Sequence, residues 1–184
     1  MLLKKCYGEP VAVPKVSKYM QDANINWGNV FKIAQMPIDV RTRDYQYRFL
    51  NDILVNNYWL YKWKLRDDNL CTFCKSSVEN IVHMFWECEF VFKFWTDLQN
   101  EFRDVEINLD LNSVLLGSQQ DIVRTIIFIG KKYISECRFK EQIPTLPNYL
   151  IKIDFVRKLE FQIAKNCNKV SIWQSKWEPL SHIW

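Results

Sequence analysis

Apolar positions recur every three or four residues through most of the chain, the signature of helices with one buried stripe. Tyr45, Phe49 and Ile53, widened by Leu50 and Leu54, predict a helix over 42–56 with Thr42 as its N-cap. A short helix over 27–35 is expected before it, stopped by Pro37. Ser76 and Glu79 have capping-box spacing, so a helix should start near Ser77 with Val78, Ile81, Val82 and Phe85 on its apolar face. Phe92, Trp95, Leu98 and Phe102 continue the pattern in the next helix. Ile122, Ile126, Ile129, Tyr133 and Cys137 mark a further helix, capped by Ser118, and Ile153, Val156, Leu159, Ile163 and Cys167 mark another. The reading is a mostly α fold with a small cysteine-rich module between helical segments. Four stretches follow: a lead-in arm or linker over 1–25, a helical segment over 26–102, an acidic connection over 103–118, and a C-terminal helical segment over 119–184.

Composition supports this. Apolar residues make up 48% and aromatics 15% of the 184 residues, enough for a sizeable core, while Gly and Pro number only 4 and 6. The longest strongly apolar run, 126–129, is far too short to span a bilayer, and the N-terminus lacks the apolar stretch of an export signal. An intracellular setting, nuclear or cytoplasmic and without membrane contact, is therefore expected, and its 6 cysteines read as thiols or metal ligands rather than disulfides.

Charge is uneven along the chain. Residues 1–70 carry 11 Lys/Arg against 7 Asp/Glu, residues 71–118 carry 3 against 8, and residues 119–184 carry 11 against 6. The basic flanks are where a polyanion should bind. Arg124, Lys131 and Arg138 are seven apart and would line one edge of a helix, with Lys132 nearby. Arg41, Arg43 and Arg48, with Lys62, Lys64 and Arg66 further on, are interleaved with Tyr45, Tyr47, Tyr58, Trp59, Tyr61 and Trp63. Such mixtures can stack unpaired bases while gripping the backbone. They can equally be core aromatics with solvated cations, and most of these aromatics are expected in the core.

The sharpest chemical signal is CTFCKSSVENIVHMFWEC, in which Cys71, Cys74, His83 and Cys88 have the spacing C-x2-C-x8-H-x4-C. Cys3His is a common tetrahedral set for structural zinc, and with all four positions filled no site remains for a catalytic water. The competing reading is free thiols beside a lone helix histidine. On an unbroken α-helix, five residues turn the chain by about 500°, which leaves His83 and Cys88 about 140° apart. One ion can join them only if the helix kinks or ends between them, with the next helix starting near Glu89. Cys6, Cys137 and Cys167 fit no metal spacing, and the latter two are expected in the core.

The run RTRDYQYRFLNDILVNNYWLYKWKLRDDNLCTFC, followed by ENIVHMFWECEFVFKFW, resembles the zinc-binding region downstream of the polymerase in LINE-type (non-LTR) retrotransposon reverse transcriptases. The resemblance extends through IFIGKKYISECRF, KLEFQIAKN and SKW, over roughly residues 25–180. It departs at Glu89, where many relatives carry proline. It implies one structural zinc on Cys71, Cys74, His83 and Cys88. It also implies an accessory, non-catalytic role in holding template RNA and target DNA, with RNA, DNA and the polymerase part of the same polyprotein as partners. The aromatic-x-Asp-Asp strand motif of the polymerase is absent; Asp67–Asp68 precedes the zinc turn without a strand and reads as a loop or cap. A protein-interaction module without nucleic-acid contact is the alternative.

Overall fold

A computed structural model describes residues 14–20, 27–30, 40–105 and 107–184. Among the described residues eight α-helices run in order: α1 Trp27–Val30, α2 Val40–Leu50, α3 Asn57–Lys62, α4 Glu89–Glu101, α5 Leu111–Leu116, α6 Asp121–Phe139, α7 Leu146–Asn166 and α8 Val170–Trp177. Single 3-10 turns at Lys15–Tyr19, Arg103–Val105 and Glu178–Ile183, and one π turn at His83–Glu87, complete the element order. The described residues form no strand, only an isolated antiparallel bridge between Leu70 and Val78. None of their helices is long and apolar enough to cross a membrane.

The centre is α6. Its buried side includes Ile122, Ile126, Ile129, Tyr133 and Cys137, as the spacing predicts, and also Arg124, Lys131 and Arg138. Phe94 of α4, Tyr133 of α6 and Tyr149 of α7 meet with ring centroids 5.4–6.0 Å apart. The fully buried Tyr149 hydroxyl donates to the Ile126 carbonyl at 2.8 Å, so the ring enters the core without leaving a polar atom unpaired. A second aromatic seam joins α2 to the π turn and α6. Phe49 packs on Phe85 at 5.0 Å, and Tyr45 packs on Phe128 at 6.1 Å.

Several boundaries differ from the sequence pattern, each for a local reason. Helix α2 stops at Leu50, short of 56, because Asp52 takes a left-handed conformation (φ 52°). Its carboxylate is fixed there by Lys18 and by the Tyr19 hydroxyl. Ile53 is consequently exposed, and Asn56 serves as N-cap of α3, its side chain accepting from the Trp59 N–H. The short helix expected over 27–35 is seen as α1; residues 31–39 lie outside the described residues. The acidic connection contains its own helix, α5, begun by an Asp110–Ser113 capping box and ended by Gly117 at φ 89°. Helix α6 begins after Gln120 without a side-chain cap; Ser118 accepts instead from the Gln120 N–H. On α7 the inward face is Tyr149, Ile153, Glu160 and Ala164, while Leu159 and Cys167 are exposed. Cys6 lies outside the described residues.

Candidate metal centre

The CxxC turn is built on backbone bonds that fold 69–79 back on itself. Glu79 N–H donates to the Asn69 carbonyl, Cys71 N–H to Ser77, and Lys75 N–H to Cys71. Lys75 takes the left-handed region (φ 57°), which tightens the turn so that Cys71 and Cys74 face one point. The Phe73 N–H donates to Cys71 Sγ at 3.4 Å.

The following helix does not start at Ser77. Asn80 caps it, its side chain accepting from the His83 N–H at 2.9 Å, and Glu79 is drawn away to other partners. The chain then winds as a π turn over His83–Glu87, closed by the Cys88 N–H donating to the His83 carbonyl at 3.0 Å. An i→i+5 bond brings residue i+5 back over residue i. Cys88 itself is extended (ψ 127°) and α4 begins at Glu89. This wider turn and break remove the angular mismatch that a regular α-helix would impose between His83 and Cys88.

The ligand atoms of Cys71, Cys74, His83 and Cys88 all lie within 4.8 Å of one another. Cys71 Sγ and Cys88 Sγ are 3.8 Å apart, and Cys74 Sγ and His83 Nε2 are 3.4 Å apart. A tetrahedron with Zn–S of about 2.3 Å and Zn–N of about 2.0–2.1 Å has edges of about 3.8 Å (S–S) and about 3.5 Å (S–N). The two measured edges match that tetrahedron, and the whole donor set is close enough to hold one zinc ion. Its local electrostatics show four groups competing for few protons. The hydrogen bond between them pushes the Cys71 thiol up and the Cys88 thiol down. Burial opposes ionisation of Cys74, but bonds from Ser76 and its neighbours outweigh it and bring that thiol down. His83 is raised: burial is the largest influence and acts downwards, but its bonds with Cys74 and Cys71 and their charges together outweigh it. Cys71, His83 and Cys88 are buried, as a closed structural site requires.

Behind the turn lies a buried polar cluster that sequence spacing did not reveal. Glu79 is fully buried, and its carboxylate accepts from the Thr72 and Asn57 N–H groups at 2.8 and 2.9 Å. It also accepts from Arg138 Nε at 2.6 Å, and Arg138 donates a further bond to Asn57 Oδ1 at 2.8 Å. Asn57 in turn donates to the Leu70 carbonyl. The partners are 59 and 81 residues apart, so no local pattern announces them.

This placement overturns the expected solvent-facing row of cations on α6. Arg124 is buried, donating to the Ser118 and Gln119 carbonyls and paired with Asp121. Lys131 is fully buried, its Nζ 4.0 Å from the Phe49 ring centroid and 3.4 Å from the Leu115 carbonyl. Arg138 holds Glu79. The row points inward because the apolar stripe of α6 is wide enough to bury most of its circumference. Of the other cations, Lys132 and Arg43 are half-buried and Arg48 is exposed, pairing with Asp44 at 2.7 Å. Arg41 lies in α2, its side chain outside the described residues. The aromatics split: Tyr45 joins the core, whereas Tyr47, Tyr61 and Trp63 are exposed. Asp67 and Asp68 sit in an exposed loop, where Asp68 accepts from the Leu70 N–H.

Residues 15–95 match the family model of zinc-binding in reverse transcriptase. The matched segment contains all four donors, and family match and donor cluster together support a single structural zinc. No curated protein matches the chain. Helices α5 to α8 lie beyond the matched segment, tied to it through Arg138 and Glu79.

Proposed function

We propose that this chain is a zinc-stabilised accessory segment of a LINE-type reverse transcriptase that helps hold template RNA or target DNA. One coincidence carries the reading: the four donors, with tetrahedral spacing, fall inside the segment similar to zinc-binding regions of reverse transcriptases. Its ligands are Cys71, Cys74, His83 and Cys88, and its role is to fix the junction between α3, α4 and α6. Contacts to phosphate fall to cations outside the core, since neutralising Arg124, Lys131 or Arg138 would report on folding. The test is a titration of the zinc-loaded chain with RNA and with DNA at several salt concentrations. Affinity that falls with rising salt supports the reading; no binding at low salt rejects it.

A second reading, a protein-interaction module docking on the polymerase part of the same polyprotein, is favoured by one observation. Ile151, Phe155 and Leu159 are exposed at four-residue spacing along α7. Retained binding to that polymerase part, without any nucleic-acid affinity, would select it.

A further inference from the structure

The turn that closes α3 carries an unusual surface. Trp63 is 54% exposed and Tyr61 48%, with Lys62 and Lys64 exposed between and beside them. Trp63 lies against Trp59 with ring centroids 6.0 Å apart and planes inclined by 25°, a stacked pair with half of the outer ring in solvent. Lys62 Nζ sits 5.6 Å from the Tyr58 ring centroid. The backbone is fixed independently of these side chains. Trp63 N–H donates to Trp59, Lys64 N–H to Tyr61 and Leu65 N–H to Leu60. Lys64 holds the left-handed position (φ 61°) where a helix ordinarily ends on glycine. Neither Lys62 nor Lys64 forms an ion pair among the described residues, whereas Arg66 is spent on Asp68 and Asn57. Asp67 is an opposing exposed charge nearby.

We propose that Tyr61 and Trp63, flanked by Lys62 and Lys64, form a stacking platform for unpaired bases of single-stranded nucleic acid. This rests on the nucleic-acid reading above and names its surface. An exposed, already stacked indole offers its face to a base, which a duplex keeps covered by neighbouring pairs, and adjacent ammonium groups meet the backbone phosphates. Ribose and deoxyribose strands share the chemistry.

The experiment titrates zinc-loaded full chain with labelled oligo(U), oligo(dT) and a duplex of the same length, read by fluorescence anisotropy. The unchanged chain should prefer the single strands. Trp63→Ala should weaken single-strand affinity about tenfold and leave duplex affinity unchanged, while Trp63→Phe keeps most of the affinity. Lys62→Ala with Lys64→Ala should flatten the single-strand salt slope by about 1.4 units, about 0.7 for each phosphate no longer neutralised. Zinc content and helicity are measured on each variant, and if Trp63→Ala alters either, Trp63→Phe and the lysine pair decide. If the unchanged chain binds neither strand nor duplex, the nucleic-acid reading and the platform both fall. If it binds single strands and Trp63→Ala titrates like it, or weakens duplex and single-strand binding alike, the platform alone is wrong.

Discussion

Arg138 is expected to be an anchor of the zinc turn and not a phosphate contact, and its removal gives the strongest single test of the packing. Arg138→Met deletes two charge-assisted bonds, to Glu79 Oε1 at 2.6 Å and to Asn57 Oδ1 at 2.8 Å, and leaves the carboxylate without its counter-charge. Each such bond contributes about 1.5–3 kcal/mol. Breaking a buried pair on one side costs about 3–5 kcal/mol, because the remaining charge stays desolvated. Glu79 keeps its two backbone donors, from Thr72 and Asn57, which limits the cost to about that range. Urea unfolding of zinc-loaded protein, followed by tryptophan fluorescence, should therefore show destabilisation of about 3–5 kcal/mol for Arg138→Met. Adding Glu79→Gln to it should recover part of that, since the orphaned charge goes. Destabilisation below about 1 kcal/mol, the worth of an exposed pair, would refute the reasoning, and a fall in nucleic-acid affinity at unchanged stability would restore Arg138 as a phosphate contact.

Lys131 should make stability rise with pH. Burial pushes its ammonium down to about 7, while the unfolded chain keeps an ordinary lysine. Between those values the unfolded state binds more protons, so unfolding free energy should grow by about 2–3 kcal/mol from pH 7.5 to 9.5. Lys131→Met should abolish that rise, and parallel pH curves for the two proteins would count against it. Gly130→Ala would set a Cβ 2.5 and 2.7 Å from two Trp95 ring carbons. That indole is held by its bond to the Phe85 carbonyl, so a thermal melt should show about 1–3 kcal/mol of destabilisation, and an unchanged melt would mean the ring yields freely. Chelating the zinc removes a contribution of roughly 10–16 kcal/mol by the measure of small zinc peptides. Hydrogen exchange should then rise across 67–98 and also at the Arg138 end of α6, and full protection persisting at that end would show the two parts to be uncoupled.

Helix type and the zinc donors were legible in the sequence because both are local. The α6 stripe and the Cys71–Cys88 spacing need only nearby residues to interpret. Even the break between His83 and Cys88 followed from helical angles alone, although its form, a π turn, did not. What escaped was set by distant partners. Glu79 reads as a capping residue until Arg138 claims it from 59 positions away. Periodic cations on α6 read as a solvated edge unless one knows that α5 and α2 cover Lys131 and that Glu79 and Asn57 take Arg138. Helix α2 stops short because Lys18 and Tyr19 hold Asp52, a contact between segments more than 30 residues apart.

Cys71, Cys74, His83 and Cys88 are expected to hold one ion at the junction of these helices. Metal analysis of the intact chain, purified without chelator, should return one zinc per chain, and Cys88→Ser should lower that value sharply. A native chain that folds with the same helicity and carries no zinc would contradict it.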